Sequence, residues 1–113
     1  MTEQEIDWVD AMNTVSADIN ENARNKGFWD KERNDGEAIA LIHSELSEAL
    51  EALRHGNPPD DKIPEFTGVE AELADAIIRI CDLAAGRQWR VFEAMAAKIQ
   101  FNTTRKRLHG KEF

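Results

Sequence analysis

The sequence predicts an all-α fold, a four-helix bundle, and two observations carry that reading. The three prolines, Pro58, Pro59 and Pro64, stand in one stretch, so the rest of the chain is free to be helical. Four segments place apolar residues three or four apart, the step that lines one face of a helix, and no strand-length alternation bounded by turns is found. At 113 residues the chain is most simply one domain, residues 1–113. A chain of that size builds a modest core, so the bundle is expected to be completed by pairing with another copy.

The first helix is predicted from Glu3 to Asn25, with Ile6, Val9, Met12, Val15 and Ile19 on its apolar face and Gly27 as its stop. A polar loop, GFWDKERNDG, follows and carries Phe28 and Trp29. The second helix runs from Gly36 to Arg54 with a stripe of Ile39, Ile42, Leu46, Leu50 and Leu53. The segment HGNPPDDKIPEF breaks the chain. The third helix runs from Val69 to Ala85, is expected to bury Leu73, Ile77, Ile80 and Ala84, and should end at Gly86. The fourth, Gln88 to Lys106, offers Phe92, Met95, Ala96 and Ile99. Amphipathic helices with mostly short joins make a bundle.

Acidic residues outnumber basic ones, 22 against 14, for a formal net charge of -8. Such a chain does not draw in a nucleic-acid polymer through its overall field, whereas a metal cation, or an anion bridged by one, suits it. Cys81 is the single cysteine and stands among apolar residues, so it reads as a small buried hydrophobe. One cysteine forms no internal disulfide, which makes a reducing cytoplasm the default. No apolar run approaches the ~20 residues of a membrane span, and the start, MTEQEIDWVD, lacks the basic opening of a signal peptide. No membrane partner is expected.

The acids repeat one step on two helices. Glu45 and Glu48 are three apart in SELSEALEALR, and Glu72 and Asp75 are three apart in ELADAI. At ~100° per residue, each pair lies beside its apolar stripe, through Leu46 and Leu50 on one helix and Leu73 and Ile77 on the other. Packing the two helices antiparallel by those stripes would turn both pairs into one cleft. Carboxylates gathered in this way repel and resist desolvation unless a hard cation sits among them. Oxygen-only ligands suit Mg2+ or Mn2+, and Mg2+ commonly bridges carboxylates to substrate phosphates. The plain alternative is a pair of ordinary solvated helix faces. Glu51 continues the series but turns toward solvent. A di-iron carboxylate bundle would need Glu-x-x-His on two helices, and neither His43 nor His55 stands at that spacing.

Lys98, Asn102 and Arg105 fall at i, i+4 and i+7 and are expected to share a face of the fourth helix beside Met95 and Ile99. Cations there, opposite a carboxylate–metal site, are what a triphosphate needs. For Arg105 to Arg107 the competing reading is a basic helix end that offsets the helix dipole.

These motifs resemble the MazG-like, all-α nucleoside triphosphate pyrophosphatase superfamily. Its signature is Glu-x-x-Glu, a spacer, then Glu-x-x-Asp, here Glu45-x-x-Glu48 and Glu72-x-x-Asp75 around the proline-rich loop. The later KIQFNTTRKRLHGKEF looks like the family's Lys-x-x-x-Asn-x-x-Arg element with a His-Gly-Lys tail, and the likeness runs from Gly27 to Phe113. The resemblance implies hydrolysis of a nucleoside triphosphate to monophosphate and pyrophosphate with Mg2+, for house-cleaning or control of the nucleotide pool. It implies that Glu45, Glu48, Glu72 and Asp75 bind the metal, with Glu48 the candidate base, and that Lys98, Asn102 and Arg105 bind phosphates and sugar. It further implies a dimer or tetramer with the nucleotide held between subunits.

Several residues are left with two readings. Trp29 and Phe28 either stack on a base or plug the end of the bundle. Arg79, one turn after Asp75, either touches the nucleotide or neutralises Asp75, and the second is favoured. His109 either closes over the site or is solvated. Two other functions compete with the first: a phosphoribosyl-ATP pyrophosphatase-like enzyme on similar acidic helices, and a non-catalytic bundle that binds a partner.

Overall fold

The computed structural model describes residues 1–112, and the side chain of His109 lies outside the described part together with Phe113. The reading made for His109 therefore falls outside it. Among the described residues there are four α-helices and no strand: α1 (Glu3–Asn25), α2 (Asp35–Arg54), α3 (Gly68–Arg87) and α4 (Val91–Asn102), followed by a short 3-10 turn (Arg107–Gly110). No helix is long and apolar enough to cross a membrane.

The starts are set by side chains that satisfy the first free N–H groups. The Thr2 hydroxyl accepts from the Glu5 amide and the Glu5 carboxylate accepts from the Thr2 amide, and Thr67 with Glu70 repeats this capping box on α3. The Asn34 side chain accepts from the Glu37 amide and opens α2.

Two ends differ from the sequence reading. Gly86 does not stop α3. The helix runs on to Arg87, and Gln88 caps it in left-handed backbone at φ 58°. Gly86 serves packing instead, because a Cβ there would overlap the indole of Trp29. In α4 the helix is shorter than Gln88–Lys106. The Thr103 and Thr104 hydroxyls donate to the carbonyls of Gln100 and Phe101 just where it stops, a local bond that competes with continued helix. Arg105 thus lies beyond α4.

The helices pack as an array with α3 at its centre: α2 lies on α3, α3 on α1, and α4 more lightly on α1. The core joins Val9 of α1, Cys81 of α3, and Phe92 and Ala96 of α4, with Trp8, Met12 and Ile19 against it. Cys81 is the small buried hydrophobe the sequence suggested.

The α2–α3 seam departs from expectation. The small residues Ala38 and Ala49 of α2 and Ala71 and Ala76 of α3 are buried, and a Cβ at Gly68 would crowd Ala52 of α2. Leu46, Leu50 and Leu53 of α2, with Leu73 and Ile77 of α3, are about half exposed. At ~100° per residue, the leucine stripe of α2 stands about a quarter turn from the alanine face. Helix α2 therefore has two apolar faces, and the chain buries the one made of small side chains. The result is open: the radius of gyration is 16.5 Å, against roughly 13 Å for a compact domain of this length.

Candidate functional site

The alanine seam puts Glu45 within the contact rather than at its border, while Glu72 is half-buried and Glu48 and Asp75 stay exposed. Glu45 shares a face of α2 with Ala38 and Ala49 and is only 7% exposed. Carboxylate oxygens of Glu45, Glu72 and Asp75 all lie within 4.8 Å of one another. Glu48 is outside that set of three. It lines the same cleft, and its charge helps to raise the Glu72 carboxyl. The four predicted acids therefore do meet, three tightly and the fourth alongside.

The electrostatics of the cluster follow from its crowding. Burial first, and the adjoining Glu45 and Glu48 groups in the same sense, raise the Glu72 carboxyl to about 7. Asp75 is raised as well, by burial first and by Glu45 next, with Arg79 opposing. Glu72 Oε2 is buried without a hydrogen-bond partner. An oxygen so placed, among other carboxylate oxygens and away from water, costs free energy unless a proton or a cation meets it. An all-oxygen set of this kind fits a hard divalent ion such as Mg2+ or Mn2+.

The cleft has a volume of about 470 Å³, and besides the acids it is lined by Arg33, Lys62 and Arg79. Arg79 bonds to Glu45 at 2.9 Å, so its direct partner is not Asp75, although its charge also acts on that residue. Glu51 is exposed and pairs with Arg54 and His55 away from the cleft, as its position on the helix suggested.

Lys98, Asn102 and Arg105 do not reach this cleft within one chain. Lys98 and Asn102 are exposed on α4, and the Arg105 guanidinium lies 5.6 Å from the Phe101 ring centroid. The reason is the packing of α4: it meets α3 around Cys81, about 140° round that helix from the acidic strip at ~100° per residue.

The two aromatics of the first loop part company. Trp29 is committed to the fold. Its indole N–H donates to Asp82, its ring lies over Gly86, and the guanidinium carbons of Arg33, Arg24 and Arg87 stand 4.4, 4.7 and 5.6 Å from the ring centroid. Phe28 lines the cleft and is 68% exposed.

Asp82, Arg33 and Lys62 were missed by the sequence reading. Asp82 had a signal. It is a lone acid inside the apolar run IRICDLAAG, and with Glu72, Asp75, Arg79 and Gly86 it continues a strip about 80° wide along α3. Arg33 and Lys62 lie in loops, where periodicity says nothing. Compared with protein-family models, with curated proteins and with solved structures, the chain matches none of them.

Proposed function

We propose that this chain is a Mg2+-dependent nucleotide pyrophosphohydrolase of the MazG-like kind, which cleaves a nucleoside triphosphate with water to the monophosphate and pyrophosphate. The observation that carries the reading is the meeting of Glu45, Glu72 and Asp75 around a buried, partnerless carboxylate oxygen, in a cleft that also presents cations. An acidic cluster alone would repel a polyphosphate. An ion held by these acids, with Arg33 and Lys62 nearby, suits one.

Glu45, Glu72 and Asp75 would hold the ion, with Glu48 completing or bordering the set. When bound, the ion offsets the carboxylate charge, withdraws electrons from phosphate oxygens and makes water a better nucleophile at neutral pH. Glu48, beside the cluster and facing the same cleft, is the candidate to accept the proton from the attacking water. Arg79 pairs with the buried Glu45 carboxylate and would compete with the ion for it.

The half-exposed stripe of Leu46, Leu50, Leu53, Leu73 and Ile77 is the surface on which a second copy would pack. Lys98 and Asn102, exposed on α4 away from the cleft of their own chain, would then face a neighbouring subunit's cleft. An exposed apolar face also suits a non-catalytic partner-binding bundle, so activity must decide.

The test is a panel of canonical and modified NTPs and dNTPs with Mg2+, assayed for pyrophosphate and monophosphate. Release of pyrophosphate, abolished at least 100-fold in Glu48→Gln and Asp75→Asn, is expected. Orthophosphate as the product would mean that a different bond breaks. No turnover across the panel, together with no Mn2+ binding, would leave the partner-binding reading.

A further inference from the structure

The cleft holds three cations, and their surroundings set them apart. Arg79 is bonded to Glu45, one of the converging acids, so its charge is spent on holding the cluster together. Lys62 is exposed in the loop after α2 and makes no ion pair among the described residues. Arg33 is different. Its side chain is 17% exposed, one guanidinium nitrogen bonds to Asp82 at 2.9 Å, and its plane lies over Trp29. The backbone beneath it is also fixed, because Arg87 donates to the Arg33 carbonyl and to the Asp35 carboxylate.

Asp82 does not belong to the ion-binding set. It accepts from Asn20 of α1 and from Trp29 and Arg33 of the first loop. A carboxylate with its oxygens so engaged is an anchor. What it anchors is a guanidinium whose five N–H groups make one hydrogen bond among the described residues, and which lines the same cleft as the acids.

We infer that Arg33, pinned by Asp82 and Trp29, is a phosphate-binding residue that grips the polyphosphate of the substrate away from the metal. The inference rests on the pyrophosphohydrolase reading and deepens it. A guanidinium already held in place forfeits little side-chain freedom on binding and offers paired donors to phosphate oxygens. Trp29 and Asp82 are positioning residues that act through it. The opposed view, that Arg33 and Asp82 merely tie the first loop to α3, accounts for the ion pair but assigns the guanidinium nothing in the cleft.

The probe is inorganic tripolyphosphate with excess Mg2+, titrated calorimetrically into the full chain, with Mn2+ binding followed separately by electron paramagnetic resonance. Arg33→Gln alone would strand Asp82, so the double variant Arg33→Gln with Asp82→Asn is used, which removes both charges and keeps neutral hydrogen bonding. Expected is a loss of about ten-fold or more in tripolyphosphate affinity with Mn2+ affinity unchanged, and partial recovery in Arg33→Lys on the wild-type background. In the nucleotide assay the double variant should raise KM more than it lowers kcat. Wild-type affinity in the double variant overturns the role of Arg33 and leaves the pyrophosphohydrolase reading standing. Failure of the wild-type chain to bind Mg2+–tripolyphosphate overturns both.

Discussion

Arg79 reaches across the α2–α3 seam and donates to Glu45 at 2.9 Å, from a position one turn after Asp75. It therefore occupies an oxygen of the most buried acid in the cluster, and a metal ion would compete for the same carboxylate. Arg79→Gln should lower the stability of the metal-free chain by about 1–2 kcal/mol, a figure reduced because the arginine is partly exposed. The same change should tighten Mn2+ binding by about three- to ten-fold, since one competing cation is gone. Urea unfolding and Mn2+ titration measure the two effects. Weaker metal binding in the variant would mean that Arg79 orients the ligand and does not oppose the ion.

Much of the fold could be read beforehand, because helix period and capping are local. Thr2 with Glu5 and Thr67 with Glu70 lie three residues apart, and the prolines mark the one long break. The choice of buried face was not local. Leu46 and Ala49 are both apolar, and period alone does not say which face the chain covers itself; the alanines allow the closer helix contact and were buried. The acidic site was legible as four residues and illegible as a depth, for the same reason. The bond from Arg33 to Asp82 spans 49 positions and leaves no mark on any short pattern.

Glu72 makes stability depend on pH in an unusual direction. Its carboxyl is raised to about 7 in the folded chain, so the folded state holds a proton that the unfolded chain releases near the ordinary glutamate value. The contribution is full below about pH 4.5 and is lost as pH rises through about 7, a loss of at most about 3 kcal/mol. Metal-free protein should therefore unfold more readily at about pH 8 than at about pH 5.5, and Glu72→Gln should flatten that slope. Added Mn2+ should restore stability at the higher pH, with affinity rising through about pH 7 as the proton leaves. Parallel urea curves for wild type and variant decide it, and equal slopes would count against a shared, crowded cluster.

Gly86→Ala sets two effects against each other. Alanine favours helix over glycine by about 1 kcal/mol, but its methyl group would overlap the Trp29 ring. The overlap should win, because the ring is held by its bond to Asp82 and by the surrounding arginines. A net destabilisation of about 1–3 kcal/mol is expected. In a Trp29→Ala background the sign should reverse, so a double-mutant cycle isolates the contact. A stabilising Gly86→Ala in the wild-type chain would show that the indole moves aside cheaply.

The exposed leucine stripe calls for a change in assembly. Leu50→Glu or Ile77→Glu places a charge in the middle of that face. If a second copy packs there, sedimentation should show wild type as more than one chain and either variant as one, with helical circular dichroism retained. A wild type that sediments as a single chain at tens of micromolar would remove the second copy from the account of the site.

Trp29 also has an optical consequence. Its indole N–H donates to a carboxylate and its ring lies against guanidinium groups from α1, the first loop and α3, and one of those groups lines the cleft. With Trp8 and Trp89 replaced by Phe, the remaining fluorophore would sense any ligand that draws on Arg33. Occupancy could then be followed by emission alone, in unlabelled protein and in real time.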